Sequence, residues 1–350
     1  QSGCDKLRTV KNKLWKFIDD RGTFASDTAH QINTLYFPLC NSTPILSSVT
    51  PDLHGDIKTD FNSFLLEPAS RIGLNNLKSS RNFWIYINPK KAWSITGASK
   101  NTEITKADKF QLEAGLLWQK ISRQNKKIGL KAEITSFVPA SCEPIEIMLV
   151  EITNLSSKTI KFVPFSAIPI YARSANNLHD HRHVTSLLSR IELNKFGVIV
   201  KPTLIFDESG HKKNSTSYFV LGIDQQTRAP QYIFPTQEGF LGDDSDLEAP
   251  KVVINNILPD KKIEYQGKEP MAGLRFEAKA LRQKEKFSYI VIMGITTDKE
   301  EIMPIFKKFN TPQRIISSLE ETKLYWQKIS SENSVETRDE INYIGPCPKC

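Results

Sequence analysis

The sequence has few cysteines and no long apolar run. Five cysteines in 350 residues are too few and too scattered for the disulfide framework of a small secreted domain. We therefore predict a reducing, cytoplasmic location. The most apolar stretches, such as 145–150 with Glu146 as its one charged residue and 289–293, are far shorter than the roughly 20 residues that span a bilayer. We therefore predict neither a membrane helix nor a membrane partner.

The chain also lacks an initiator methionine and a secretory leader. Its first residues, QSGCDKLRTVKNKLWKF, contain no apolar core and no small-residue cleavage site. We expect a chain that is processed or clipped. No Walker A, GxSxG, HExxH or GxGxxG motif occurs in the sequence, which leaves nucleophilic and nucleotide chemistry without support.

Basic residues exceed acidic residues modestly, and the excess is concentrated. Lys and Arg number 47 against 39 Asp and Glu, a formal net charge of +8. Residues 78–131 hold twelve basic and three acidic residues. Aromatic residues lie in the same stretch: Phe83, Trp84, Tyr86, Trp93 and Trp118. A nucleic-acid surface is one interpretation. Lysines that discourage the pairing of exposed strand edges are the other, and we predict no nucleic-acid partner.

Short runs rich in Val, Ile, Phe, Thr and Tyr dominate residues 60–297 and alternate with Gly, Pro, Asn and Ser. This pattern indicates strands joined by turns. Ile145, Ile147 and Leu149 on one face, with Met148 and Val150 on the other, predict a central strand buried between two layers. The chain is thus predicted to be mainly β, an extended sandwich of two stacked sheets. Strands are predicted over 82–87, 130–138, 145–153, 159–168, 196–206, 217–223, 251–257 and 286–296.

Helical spacing of apolar residues occurs at both ends. Near the start, a short helix would be lined by Leu7, Val10, Leu14, Trp15 and Phe17. The stronger pattern covers residues 299–331 and predicts two consecutive amphipathic helices, the second beginning at Thr311-Pro312. Their apolar stripe is formed by Ile302, Ile305, Phe306, Phe309, Ile315, Ile316, Leu319, Leu324, Tyr325 and Ile329. Either the sandwich or a following segment would cover this stripe. Residues 331–334 then form a polar linker.

The densest cluster of functional side chains is NNLHDHRHVT, residues 176–185, which holds three of the six histidines. In an extended strand His179, His181 and His183 would share one face and suit zinc. A second interpretation is a polar loop whose His and Arg side chains hydrogen-bond backbone carbonyls. The third, which we favour, is a loop that contacts a sugar or an anion.

Other constellations carry less information. Cys347 and Cys350 form a CxxC, which occurs in zinc knuckles and in redox pairs. Zinc needs two further ligands, and we predict no metal. The acidic run of Asp243, Asp244, Asp246 and Glu248 is typical of a solvated loop, with weak calcium binding as the alternative. A carboxylate pair for glycoside chemistry needs a defined separation, so the sequence does not rank its candidates, Glu113, Asp180, Asp207 and Glu277.

Five stretches together resemble a known family. They are YFPLCNSTPILSSVTPDLHGDIKTDFNSFLL (36–66), SSRNFWIYINPKKAWSITGAS (79–99), EAGLLWQKISRQNKKIGLKAEITSFVPAS (113–141), VEITNLSSKTIKFVPFSAIPIYARSANNLHDHRHVTSLLSRI (150–191) and EPMAGLRF (269–276). In this order they resemble the N-terminal part of the inverting glycoside phosphorylases of glycoside hydrolase family 94, the cellobiose phosphorylase relatives. Within that family, the 1,2-β-oligoglucan phosphorylases are most similar. The resemblance covers residues 30–340, and ARSANNLHDHRHVTSLL (172–188) is its most specific part.

The resemblance implies a three-part organisation. Residues 1–298 would form a galactose-mutarotase-like β-super-sandwich of large antiparallel sheets, and residues 299–334 a helical linker. Residues 335–350 would begin the helical barrel that carries the general acid in the family. The resemblance therefore implies that this chain lacks the catalytic domain and holds no catalytic residue.

The resemblance also implies substrate contacts from the sandwich. Arg182 and His183 are the implied substrate-binding residues, with Asn177 and Thr185 as lesser candidates. An Arg fork and an imidazole suit hydroxyl and phosphate oxygens. Two further side chains, Trp84 and Trp93, would either stack on sugar rings or pack in the core.

The implied partners follow from the family's reaction. They are a β-glucan oligosaccharide, inorganic phosphate as co-substrate without any other cofactor, and the absent (α/α)6 domain, while a homodimer is left open. The alternative is a stand-alone carbohydrate-binding or subunit-interaction module without catalysis.

Overall fold

The computed structural model describes residues 14–32, 35–69, 81–89, 91–207, 210–243, 245–259, 264–336 and 342–344. Strands dominate these ranges. They are β1 (Lys16–Phe17), β2 (Phe24–Ser26), β3 (Phe37–Cys40), β4 (Leu46–Val49), β5 (Ile57–Asp60), β6 (Ser63–Phe64), β7 (Asn82–Ile87), β8 (Lys91–Ser94), β9 (Asp108–Gly115), β10 (Trp118–Asn125), β11 (Leu130–Phe137), β12 (Ile145–Asn154), β13 (Ile160–Pro169), β14 (Ile191–Asn194), β15 (Gly197–Val200), β16 (Leu204–Asp207), β17 (Gly210–Lys213), β18 (Ser217–Asp224), β19 (Tyr232–Thr236), β20 (Pro270–Arg275), β21 (Lys279–Leu281), β22 (Lys286–Thr296), β23 (Ser334–Glu336) and β24 (Asn342–Ile344).

Helices are shorter and lie between or after the strands. The α-helices of the described ranges are α1 (Thr102–Thr105), α2 (Arg182–Thr185), α3 (Gln237–Leu241), α4 (Lys251–Asn255), α5 (Ile302–Lys308) and α6 (Pro312–Glu332). Within the same ranges, no helix is both long and apolar enough to span a bilayer.

Two large antiparallel sheets form the sandwich. The larger has ten strands in the order β1-β2-β9-β10-β11-β12-β22-β18-β15-β14, and the smaller has six, β19-β20-β13-β7-β8 with β21 paired to β13. A four-stranded sheet, β3 to β6, adjoins them. The predicted β-super-sandwich is therefore confirmed.

The central strand β12 is buried on both faces, as predicted. Met148 and Val150 belong to the core cluster that both large sheets share. Ile147 and Leu149 point to the other side, where they belong to a second cluster with the C-terminal helices. Alternation of side chains along a strand puts these two pairs on opposite faces.

The two predicted C-terminal helices are present, and they cover the outer face of the larger sheet. Ile302, Ile305 and Phe306 of α5 pack there with Ile315 and Leu319 of α6. The prediction was wrong about part of the stripe, since Ile316, Leu324 and Tyr325 are exposed. The buried residues of α6 recur at 312, 315, 319, 322 and 326, and the helical period turns positions 316, 324 and 325 away from the sheet.

Residues 251–257 contradict the predicted strand, because 251–255 form α4. Pro250 has φ −59° just before the helix, and Asn256 adopts a left-handed φ of 49° just after it. Val252 and Val253 pack with α3 against the outer face of the smaller sheet. A short apolar run fits a buried helix as well as a strand, and local periodicity does not distinguish them.

Two further predictions were wrong in part. The predicted strand 196–206 is two strands, since β15 belongs to the larger sheet whereas β16 forms a separate hairpin with β17. Pro202 lies between them, where it lacks the N–H that a central strand needs. Near the start, Lys16 and Phe17 pair with β2 as a strand and not as a helix, while residues 1–13 lie outside the described ranges.

A loop at one end of the sandwich

The site loop, residues 172–190, follows β13 at one end of the sandwich. Backbone hydrogen bonds fix its beginning, since the Phe64 N–H donates to the Arg173 carbonyl at 3.0 Å and the Tyr171 N–H to the Leu65 carbonyl at 2.7 Å. The loop thus leaves the sheet next to the β5–β6 turn. A scaffold of strands with a functional loop at their end is a common arrangement.

The first half of the site loop is a capped 3₁₀ helix, Ala175–His179. The Ser174 hydroxyl accepts from the Asn176 N–H at 3.3 Å, and the Asn177 Oδ1 accepts from the Ser174 N–H at 3.2 Å. Asn177 also donates through Nδ2 to Asp180 at 2.8 Å. Asn177 is buried, and these bonds fix the shape of the loop.

The second half of the site loop contains α2. The His181 carbonyl accepts from the Val184 N–H at 2.9 Å and the Thr185 N–H at 3.2 Å, and the Thr185 hydroxyl donates to the same carbonyl at 3.5 Å. The backbones of Arg182 and His183 lie in this turn. Their side chains lie outside what the structure describes, so their substrate contacts stay predictions.

The zinc interpretation required an extended strand, and that premise is wrong. His179 ends the 3₁₀ helix whereas His183 lies in α2, so strand alternation does not align the imidazoles. Among the described residues, no three His, Cys, Asp or Glu residues form a group that could hold a metal ion.

A small cavity of about 10 Å³ lies beneath the site loop, which is room for about one water molecule. The structure brings Asn177 and Thr185 together in its lining, with Asn62, Arg173 and Tyr218. Burial raises the pKa of the Tyr218 phenol above its ordinary value, so this group stays protonated. No carboxylate lines the cavity in the described part of the chain.

Arg173 is a site residue that the sequence reasoning did not single out. Its side chain is 5% exposed, and its Nη2 lies 2.5 Å from Oε1 of Glu269. The guanidinium lies 5.5 Å from the ring centroid of Tyr171. Its Nε and Nη1 are buried without a hydrogen-bond partner among the described residues. Buried donors without partners require explanation and recur at functional sites.

The family model for the glycosyl hydrolase 94 supersandwich domain matches residues 79–312, more than half of the chain and including the whole site loop. The chain belongs to this family. No curated protein sequence matches it.

Solved structures similar to this supersandwich are remote in sequence. A bacterial glucoamylase complexed with acarbose is 7% identical with a TM-score of 0.47, over 92% of this chain. A candidate kojibiose phosphorylase from the human microbiome is 6% identical with a TM-score of 0.45, over 90%. The chain spans 38% of the length of each. A GalM/aldose epimerase homologue from C. elegans is 9% identical with a TM-score of 0.41, over 75% of this chain and 98% of that one.

Exposed apolar side chains lie in and beside the site loop of the supersandwich. Phe61, in the β5–β6 turn, is 59% exposed, while its carbonyl accepts from the Ala175 N–H at 3.0 Å. Val184 and Leu187 are also exposed. The exposed ring of Phe61 offers an apolar surface beside the polar groups of the site loop. Phe61 lies in the stretch 36–66 that resembles the family, but nothing in its local pattern distinguishes it from a core phenylalanine.

Trp84 and Trp93 are fully buried, so the core interpretation is correct and sugar stacking by them is wrong. Trp93 donates from Nε1 to Asp108 Oδ2 at 3.1 Å. Of the acid candidates, Glu113 pairs with Lys120 at 2.6 Å and Glu277 with Arg228 at 2.5 Å.

The acid candidate Asp180 lies within the site loop, where it accepts from Asn177 Nδ2, and Asp207 is the last residue of β16. Asp246 of the acidic run pairs with Lys100 at 2.8 Å. Asp244, Cys347 and Cys350 lie outside the described ranges.

Proposed function

We propose that this chain is the N-terminal supersandwich region of an inverting β-glucan phosphorylase whose substrate is a β-1,2-linked oligoglucan. The match of the family model over residues 79–312 carries the first half of the proposal. The similarity of residues 172–188 to the 1,2-β-oligoglucan phosphorylases supports the choice of glucan. A cytoplasmic location stays a prediction.

The proposed reaction divides between two parts of the whole protein. A protonated carboxylate gives its proton to the glycosidic oxygen while a phosphate oxygen attacks the anomeric carbon from the opposite face, which releases glucose 1-phosphate and a shortened glucan. We assign the acid to a helical-barrel domain of the whole protein, outside residues 1–350. The described lining beneath the site loop, which holds no carboxylate, is compatible with that assignment.

The site loop would supply binding and not proton transfer. Arg182 and His183 would donate to glucan hydroxyls or to phosphate, since both are strong donors. Asn177 and Thr185, which are buried and hydrogen-bonded within the loop, would act by shaping α2. Phe61 would cover the apolar face of a sugar ring with its exposed side chain.

The proposal is tested by two measurements on the 350-residue chain. Calorimetric titration with 1,2-β-glucan is expected to show binding that Arg182→Ala, His183→Ala or Phe61→Ala weakens without a fall in Tm. The matched control is Arg21→Ala, because Arg21 is exposed in the β1–β2 turn. An assay for glucose 1-phosphate release with phosphate and glucan is expected to show no turnover. Robust turnover would contradict the division of labour, and absence of glucan binding would contradict the role of the loop.

A second candidate is a binding or subunit-interaction module without catalysis. Leu324 and Tyr325 on the outer side of α6 favour it, because both are exposed apolar residues and such positions suit a partner surface. Light scattering after size exclusion separates the candidates. A region taken from a larger enzyme is expected to self-associate with rising concentration, whereas an independent module is expected to remain monomeric.

A further inference from the structure

A second cleft lies at the opposite end of the sandwich. It has a volume of about 910 Å³ and is formed by the β10–β11 turn, the β12–β13 turn and the end of β7. This volume falls within the size of small-molecule sites. Strand β13 begins in this cleft at Ile160 and ends before the site loop at Pro169. Strand β13 is about 30 Å long at about 3.3 Å per residue, and Arg275 of the cleft pairs opposite Phe165 in its middle.

Among the described residues, the charged side chains that line this basic cleft are all cations. They are Lys126, Lys127, Lys158, Lys161 and Arg275. None of the four lysines has an ion pair among the described residues. By contrast, the larger sheet carries lysines that pair with carboxylates, namely Lys120, Lys131 and Lys286. Uncompensated cations in a cleft create a positive potential that attracts anions.

Arg275 is the most informative member of the cleft. Its residue is 7% exposed. It donates from Nε and Nη2 to Asn256 Oδ1 at 3.3 and 3.2 Å, and from Nη1 to Gln231 Oε1. Both acceptors are neutral amides. Burial lowers the pKa of the Arg275 guanidinium from its ordinary value, which expresses the cost of holding its charge away from water.

Other buried arginines have a carboxylate partner, whereas Arg275 has none among the described residues. Arg81 pairs with Glu146 at 2.8 Å, Arg123 with Asp108 at 3.2 Å, and Arg173 with Glu269 at 2.5 Å. A buried cation without an opposite charge is destabilising. An anion that enters from solvent would remove that cost, and the open cleft gives it a path.

The lysine-bearing turns are already ordered. The buried Asn154 donates to the Lys158 carbonyl at 2.7 Å and accepts from Ser156 at 2.8 Å. Asn125 likewise accepts from the Ile128 N–H at 2.9 Å. The Leu155 N–H donates to the Gly129 carbonyl at 2.8 Å, which joins the two turns. Prearranged walls lower the entropic cost of binding.

We propose that the basic cleft binds a small, multiply charged oxyanion bearing phosphate groups. Lysine ammonium groups and an Arg fork match phosphate oxygens, and the hydroxyls of Ser157 and Thr159 in the lining add neutral donors. Inorganic polyphosphate and a phosphorylated sugar share this chemistry. The cleft is separate from the site loop, so its anion is not the phosphate of the proposed phosphorolysis.

Calorimetric titration and thermal melts test the proposal. The probes are inorganic phosphate, pyrophosphate, glucose 6-phosphate and neutral glucose, at ionic strength matched with KCl. Pyrophosphate or glucose 6-phosphate is expected to raise Tm and glucose is not. Lys126→Gln/Lys158→Gln is expected to raise the Kd by about tenfold or more, and Arg275→Gln to do the same if it folds.

The control variant is Lys195→Gln/Lys307→Gln. It removes two exposed lysines that have no ion pair among the described residues and lie outside the cleft, and it is expected to leave the Kd unchanged. Equal loss in both double variants, or no loss in either, overturns the proposal. Loss of phosphate binding in Arg182→Ala but not in Lys126→Gln/Lys158→Gln also overturns it, and would place the anion at the site loop.

Discussion

Replacing Glu269 by Gln removes the charge that compensates the buried Arg173 beneath the site loop. The side chains of the two residues are 20% and 5% exposed. Breaking a fully buried pair from one side costs about 3–5 kcal/mol. Because Glu269 is partly solvated and the Gln oxygen still accepts a hydrogen bond, we expect a loss of about 2–3 kcal/mol. At about 2 °C per kcal/mol for a chain of this size, Tm should fall by about 4–6 °C.

The control is Glu277→Gln, which breaks a pair of the same kind and the same 2.5 Å separation with Arg228. Those side chains are 56% and 43% exposed, and exposed pairs contribute about 0–1 kcal/mol. Urea unfolding and thermal melts measure both variants. Hydrogen exchange of the amides at 174–190 should rise in Glu269→Gln, because the loop loses an anchor. If both variants lose the same stability, the reasoning about Arg173 is refuted.

Three further outcomes are expected. Leu319→Ala should lower the free energy of unfolding in urea by about 2–4 kcal/mol, since Leu319 is buried against the larger sheet. Leu324→Ala, on the exposed side of α6, should lower it by under about 0.5 kcal/mol. Equal losses would contradict the packing of the helix. Burial by itself would raise the pKa of Glu143, but the hydrogen bond from Lys308 holds that pKa below its ordinary value. The stability from Glu143 is therefore present above the unfolded-state pKa and lost as pH falls through the folded-state pKa, so Glu143→Gln should flatten the acid side of the Tm–pH curve. Gly129→Ala should lower Tm, because Gly129 has φ +81° and an added Cβ would lie 2.8 Å from the Ser156 Cβ; an unchanged Tm would show that the two turns are not held together.

The local sequence pattern was enough to predict the bounds of strands that are long and regularly buried. The predicted strands 82–87 and 286–296 have the bounds of β7 and β22, because β-branched and aromatic residues with turn residues at both ends leave few alternatives. Pairing was not predictable in this way. β22 lies between β12 and β18, a relation between distant segments that no local periodicity encodes.

The same limit applies to the site. The string 172–188 identified the site loop, yet the pair of Arg173 and Glu269 joins residues 96 positions apart. In the sequence, Glu269 was visible only as the first residue of the stretch 269–276. For the same reason Arg275 could not be distinguished from paired arginines, since only the folded structure shows that no described carboxylate lies beside it.

The layering explains why ligands would bind at the ends of the sandwich. Helices α5 and α6 cover the outer face of the larger sheet, α3 and α4 pack on that of the smaller sheet, and the two inner faces bury each other. Broad sheet faces occupied in this way leave the strand ends and their turns for recognition. One end carries the site loop and the other the basic cleft. Strand β13 joins the site loop and the basic cleft as one continuous strand. A substitution at either place can therefore be tested for an effect on ligand binding at the other, and the absence of such an effect would fit separate ligands.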